Sequence, residues 1–215
     1  MKKKLILPFG ITKKIKASAC GGIDLGADYD CADPIVAGVD QRLILIDKDV
    51  YDSAVVTHDV TIESLITDIV LTGTGDAGFA FQGIRRSLNP QSAFVPATVT
   101  VGYDHQVTFQ IFEVDQVQKD NIEKLGLSKV VAIVQNMNAV GNGDSVFEVF
   151  GKDVGLEMQA GAMRINADIE TNGSYTIDLK TSDESGKEPK LPTSWFDTDY
   201  ATTLVKVDAL LIPVP

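Results

Sequence analysis

The sequence predicts an α+β fold that is mainly β: an antiparallel β-sandwich or barrel with one flanking helix and an extended N-terminal arm. Three observations carry this. Short runs rich in Val, Ile, Thr and Phe are separated by Gly-, Asn-, Asp- and Pro-containing stretches along most of the chain, the pattern of half-buried strands joined by turns. One segment alone, residues 115–125, joins a capping residue, helical apolar spacing and a terminating glycine. Strand-like and helix-like segments do not alternate, which argues against a parallel βαβ sheet. The 215 residues suffice for a core without covalent staples. They divide into residues 1–34, an arm with an acidic Gly-rich loop, and residues 35–215, a single β-rich domain.

The elements follow in order. Residues 20–34 have no hydrophobic period and predict an irregular loop. Residues 41–47 (QRLILID) read as a buried strand, and 51–60 continue in β-branched residues. Residues 60–71 (VTIESLITDIVL) fit both periods, and their Val, Ile and Thr content favours a strand. Residues 85–96, with Asn89, Pro90, Gln91 and Ser92, predict a loop. ATVTVGY (97–103) and QVTFQIF (106–112) flank Asp104 and His105 and predict a hairpin. In the helix, Asp115 is the cap and Gln118 completes a capping box. Val117, Ile122 and Leu125 are compatible with one buried face, and Gly126 ends the helix. KVVAIV (129–134) predicts a central strand, 138–144 a turn, 146–150 and 174–180 strands, 182–192 a polar loop and 202–212 the last strand.

Charge narrows the function. The net charge of −11 opposes groove binding to nucleic acid, which needs cations to replace phosphate counterions. An acidic surface suits a wall that DNA passes without sticking, and equally an ordinary soluble protein. The opening segment, MKKKLILPFGITKKIKASAC, resembles a secretory signal. Its short apolar run is broken by Pro8 and Gly10 and followed by Lys13, Lys14 and Lys16, so no cleavable signal is expected. The expectation is a soluble protein made in the cytoplasm, with Cys20 and Cys31 as free thiols.

No motif argues for catalysis. Gly73, Gly75 and Gly78 spell G-x-G-x-x-G, but FAFQGIRRSLNP is a poor helix and no acid follows before Asp104. The dinucleotide reading requires both, so a turn and no cofactor are expected. Asp24, Asp28, Asp30 and Asp33 could offer oxygens to a hard cation, but their spacing is not an EF-hand and no Glu closes the set. A solvated loop and no metal are expected. His58 and His105 form no paired motif, and no G-x-S-x-G elbow is present. Asn172-Gly173-Ser174 reads as a turn.

Residues 77–103 contain no acid, and Arg85 and Arg86 are their only charges. Two readings stand: an ordinary loop with two arginines, or a patch that meets the acidic face of another copy head to tail. Phe79 and Phe81, beside Gly78, and Phe9 in the arm are candidate aromatic anchors of such an interface, with Arg85 and Arg86. The same phenylalanines also suit a core.

The strings KVVAIVQN, FEVFGKDVGLEM, GSYTIDLKT, EPKLP and ATTLVKVDALL, with CGGIDLGADYDCADPIVAG and RLILIDKDV in the front half, resemble proteins encoded by phages and prophages of Bacteroidetes-type bacteria, beside virion structural genes. The arm and the helix between strands also resemble the phage tail-tube superfamily. That resemblance implies a non-enzymatic tail-tube or neck-ring protein of the bacteriophage virion, assembled in the host bacterial cytoplasm. Such a subunit would form homo-oligomeric rings or tubes with other virion proteins around a DNA passage, without specific DNA binding and without a membrane span. Two other expectations compete: a capsid-decoration or adhesive β-domain that binds protein or carbohydrate, and a hydrolase in which His58 or His105 converges with carboxylates.

Overall fold

The computed structural model of the protein describes residues 38–84, 86–96, 101–137, 143–161, 163–164, 166, 170, 173–184 and 186–213. The chain separates into Met1–Ala32 and Asp33–Pro215, and the described residues belong to the second unit. In order they form β1 (Val39–Asp47), α1 (Lys48–Ser53), β2 (Val55–His58), β3 (Ile66–Val70), β4 (Phe79–Gln82), β5 (Leu88–Pro96) and β6 (Val101–Ile111). Then follow α2 (Gln116–Leu125), β7 (Val130–Asn136), β8 (Phe147–Phe150), β9 (Glu157–Met158), β10 (Tyr175–Lys180), β11 (Thr193–Trp195) and α3 (Tyr200–Ala209). The fold is α+β and mainly β, as expected.

The strands make a seven-stranded sheet, β2-β3-β11-β8-β7-β1-β4, and a four-stranded sheet, β5-β6-β10-β9. Alternation along the larger sheet feeds two cores. Leu43, Leu45, Ala132, Val134 and Phe150 meet the smaller sheet through Val107, Phe109, Ile177 and Leu179. Ile44, Ile46, Val131, Ile133, Phe147 and Trp195 face the other way, toward Val207 and Leu210 at the C-terminal helix. The larger sheet is therefore a middle layer.

The smaller sheet runs across the larger one. Phe109 packs on Phe81 of β4 (centroids 5.3 Å apart), and His105 packs on Phe150 of β8 (5.6 Å). Four residues of β6 span about 13 Å, close to the roughly 14 Å of three strand spacings, so β6 must cross β4, β1, β7 and β8 steeply. Crossing leaves the β2–β3 end without a second layer among the described residues on that face, where Val55 and Val70, which are register partners, are 56% and 49% exposed.

Several expectations need correction. The described residues hold three helices, not one. Residues 202–212, expected as a strand, lie largely in α3. Asp199 accepts the N–H of Thr202 at 2.8 Å and starts the helix, and Thr203 and Val207, four apart, are both buried. The cap and one-sided burial override the β-branched content. Residues 48–53 form α1, capped by Asp47, before β2 begins, and only Ile66–Val70 of the stretch 60–71 is strand.

The expected loop 85–96 is mostly β5. The hairpin expected to turn at Asp104-His105 is instead one strand, β6, paired with β5 from Leu88↔Phe109 to Pro96↔Val101. Asp104 and His105 do not turn because their side chains are held, by lysines and by the interior respectively. Strands β4, β9 and β11 have no counterpart among the expected elements. In α2, Asp115 caps Gln118 at 2.8 Å as expected, but the Gln118 side chain donates to Glu113 at 3.0 Å rather than closing the box. Gly73 and Gly75 lie in a turn that leads to a strand, β4, and not to a helix. A Cβ on Gly78 would sit 3.1 Å from Ile44 Cγ2, so that glycine allows close packing on β1.

Candidate functional site

The outer rim of the two sheets separates protected edges from open ones. Gln110 donates its N–H to Ser87 O at 3.0 Å. In an antiparallel ladder bonded and unbonded pairs alternate, so the even-numbered residues of β5 turn their backbone groups outward. Pro90 and Pro96 occupy two of those positions, where a missing N–H costs the ladder nothing and blunts the edge. On β4, Gly83 donates to Gln41 O at 2.8 Å, so Ala80 and Gln82 face outward. This edge carries no proline, lysine or bulge, and its Phe79 is 64% exposed.

Beside β4 lies a groove of about 430 Å³, lined by Leu45, Phe79, Phe81, Leu125 and Leu211 with Lys124 and Asp47 at the rim. The opposite end of the same sheet is β2, Val-Val-Thr-His, also without proline or lysine but with a register shift against β3 between Thr57 and His58. It is flanked by Asp52, Asp59 and Glu63. Asp59 accepts the N–H groups of Ile62 and Thr61 at 2.8 Å each, which hold its carboxyl below the usual range and charged.

A buried polar cluster lies where β6, the turn after β8 and the segment before β11 meet. Gly151 donates its N–H to His105 Nδ1 at 3.1 Å, and His105 Nε2 lies 3.0 Å from Lys190 O. An accepting Nδ1 leaves the proton on Nε2, which donates to Lys190. Burial pushes the pKa of this imidazole down to about 4, so it is neutral. Glu188, 1% exposed, accepts the N–H of Val154 at 2.8 Å and of Asp153 at 3.2 Å. Burial pushes its carboxyl up against those bonds.

On the cluster's outer side Asp104 pairs with Lys187 at 2.7 Å and Lys180 at 3.2 Å. Burial works to raise Asp104, but the two lysines prevail and hold it below the usual range. Each charged group is tied to a neighbouring segment, and the cluster works as a clamp on residues 187–190. Neither His105 nor Glu188 lines the groove beside β4 or the open cavity between β5 and the larger sheet.

Of the residues singled out from sequence, Phe79 is exposed and Phe81 is half-buried against Phe109. Arg86 is exposed, in a left-handed conformation (φ 67°) in the turn between β4 and β5. Phe9, Arg85, Cys20, Cys31 and the aspartates at 24, 28, 30 and 33 lie outside the described residues. His58 sits exposed on β2 and His105 is enclosed in β6, so the two histidines are not brought together. Among the described residues no group of three or more His, Cys, Asp or Glu could hold a metal ion, and no helix is long and apolar enough to cross a membrane. The clamp and the open edges escaped sequence reasoning, because both depend on which distant segments become neighbours.

No protein-family model matches the sequence, and no curated protein and no solved structure matches it.

Proposed function

We propose that the protein is a non-enzymatic structural subunit of a bacteriophage particle, a tail-tube or neck-ring component that assembles with copies of itself around a DNA passage. The observation that carries this reading is that, among the described residues, no strand is bonded to the outer side of β4 or of β2, the two ends of the seven-stranded sheet. Proteins that stay monomeric blunt such edges; β5 does so with prolines at outward positions, β2 has a register shift between Thr57 and His58, and β4 carries neither a proline nor a lysine nor a bulge. The chemistry of the buried groups supports it: His105 and Glu188 are enclosed and spend their hydrogen bonds on backbone. The net charge of −11 suits a surface that phosphates slide past. Negative-stain microscopy of the purified protein tests this. Rings or tubes are expected, with no retention of duplex DNA at physiological salt. Isolated particles the size of one chain would overturn it.

One observation favours a second reading, an adhesive or capsid-decoration domain. An open cavity of about 1230 Å³ between β5 and the larger sheet is lined by Asp40, Asn89, Gln91, Asn136 and Glu148, polar groups that suit a carbohydrate. A monomer that binds glycans would favour this reading over the first.

A further inference from the structure

The two open edges are complementary to each other. Pairing fixes strand directions across the larger sheet: β4 runs against β1, β1 against β7, β7 against β8 and β8 against β11. β11 is parallel to β3, and β3 runs against β2. Taking β1 as up, β4 runs down and β2 runs up. A second copy in the same orientation, placed beside the first, therefore brings its β2 antiparallel to β4, the relation both strands already have with their inner neighbours.

Side-chain faces also match. Phe79 is register partner to Leu45, which points toward the smaller sheet. Val56 packs in the opposite core, so Val55 lies on the same face as Phe79. Phe79, Val55 and Val70 are three large apolar side chains about half exposed or more, and the junction would place them together. The two strands are four residues each. Residues 77–103, which include β4, hold no acid, whereas β2 is flanked by Asp52, Asp59 and Glu63. Pairing β2 with a second β2 would bring those acids together. Pairing β4 with a second β4 would leave β2 open. Head-to-tail pairing alone uses both edges.

We infer that β4 of one copy pairs antiparallel with β2 of the next, continuing the seven-stranded sheet from subunit to subunit and burying Phe79 against Val55 and Val70. This rests on the self-assembly proposed above and names the surfaces that carry it. A small rotation at each junction, about an axis along the strands, closes a ring.

Disulfide trapping in a Cys20→Ser, Cys31→Ser background tests it. Laterally paired positions have Cβ atoms about 4.5–5.5 Å apart, near disulfide range. A chain carrying Phe79→Cys with Val55→Cys, or with Thr57→Cys on the same face, is expected to give a ladder of oligomers on oxidation. Mixing the single variants should stop at dimers. Ala80→Pro and Ala80→Lys alter only an outward-facing position and should weaken self-association about tenfold or more while leaving the circular dichroism spectrum unchanged. Crosslinking of Phe79→Cys alone, or assembly undiminished in both Ala80 variants, would overturn the head-to-tail pairing and leave self-assembly standing. A wild-type protein that never assembles would overturn both.

Discussion

Gly151 donates its backbone N–H to Nδ1 of His105 across 3.1 Å, joining the turn after β8 to the middle of β6. The bond selects the tautomer, and the tautomer lets Nε2 hold Lys190. Replacing His105 with Ala leaves the Gly151 N–H unpaired beside a new cavity. A loss of about 2–4 kcal/mol of unfolding free energy is expected in urea denaturation.

The same histidine makes stability depend on pH. Its pKa is lowered on folding from 6.5 to about 4, so the folded state resists protonation more than the unfolded chain does. Its contribution is whole above pH 6.5 and is lost progressively as pH falls toward 4, by up to roughly 3 kcal/mol. Denaturation midpoints measured across that range should fall, and the slope should flatten in His105→Gln.

Glu188 acts in the opposite direction. Its pKa is raised on folding, so its contribution is present below the ordinary carboxylate pKa and is lost as pH rises through the raised value. Glu188→Gln resembles the protonated form and keeps an acceptor for Val154. It should be more stable than wild type at pH 8, with the gap narrowing at pH 5. Glu188→Ala should lose about 1–3 kcal/mol because two N–H groups lose their acceptor.

Arg86 is the one described non-glycine residue with positive φ, at 67°. Arg86→Gly should relieve the clash of Cβ with the following carbonyl and stabilise the turn by up to about 1 kcal/mol, partly offset by the freer unfolded chain. Thermal melting checks this, and a lowered midpoint would show that the arginine side chain holds the turn by contacts of its own.

The C-terminal helix depends on its cap. Asp199→Ala removes the acceptor for Thr202 N–H and should cost about 1 kcal/mol, with some loss of helical signal. An unchanged spectrum and melting midpoint would argue for the strand expected from the β-branched residues.

How much of this could be read from the chain depended on locality. KVVAIV and SYTIDLK announced β7 and β10 because an apolar run and a two-residue alternation need no context. Asp115 announced α2 because its cap bond is made within three residues. Asn89, Pro90, Gln91 and Ser92 read as a loop, since turn-forming residues cluster there. Only the neighbour relation, with β6 on one side and no strand of the described residues on the other, shows that Pro90 and Pro96 sit where a strand tolerates them. Thr202, Thr203, Val205 and Val207 suggested a strand until burial of Thr203 and Val207 on one face decided for a helix. Asp104 and His105 looked like turn residues, and their partners lie more than 40 residues away at Gly151, Lys180, Lys187 and Lys190. Strand order, and with it the identity of the open edges, is not encoded in any local pattern.

In the proposed assembly the larger sheet is completed by other copies of the chain. Size-exclusion chromatography with multi-angle light scattering, run over a concentration series, tests it most directly. A mass that rises from 23.1 kDa to a multiple of that value as concentration increases is expected. A mass of one chain at every concentration, in salt that screens the −11 charge, would contradict it.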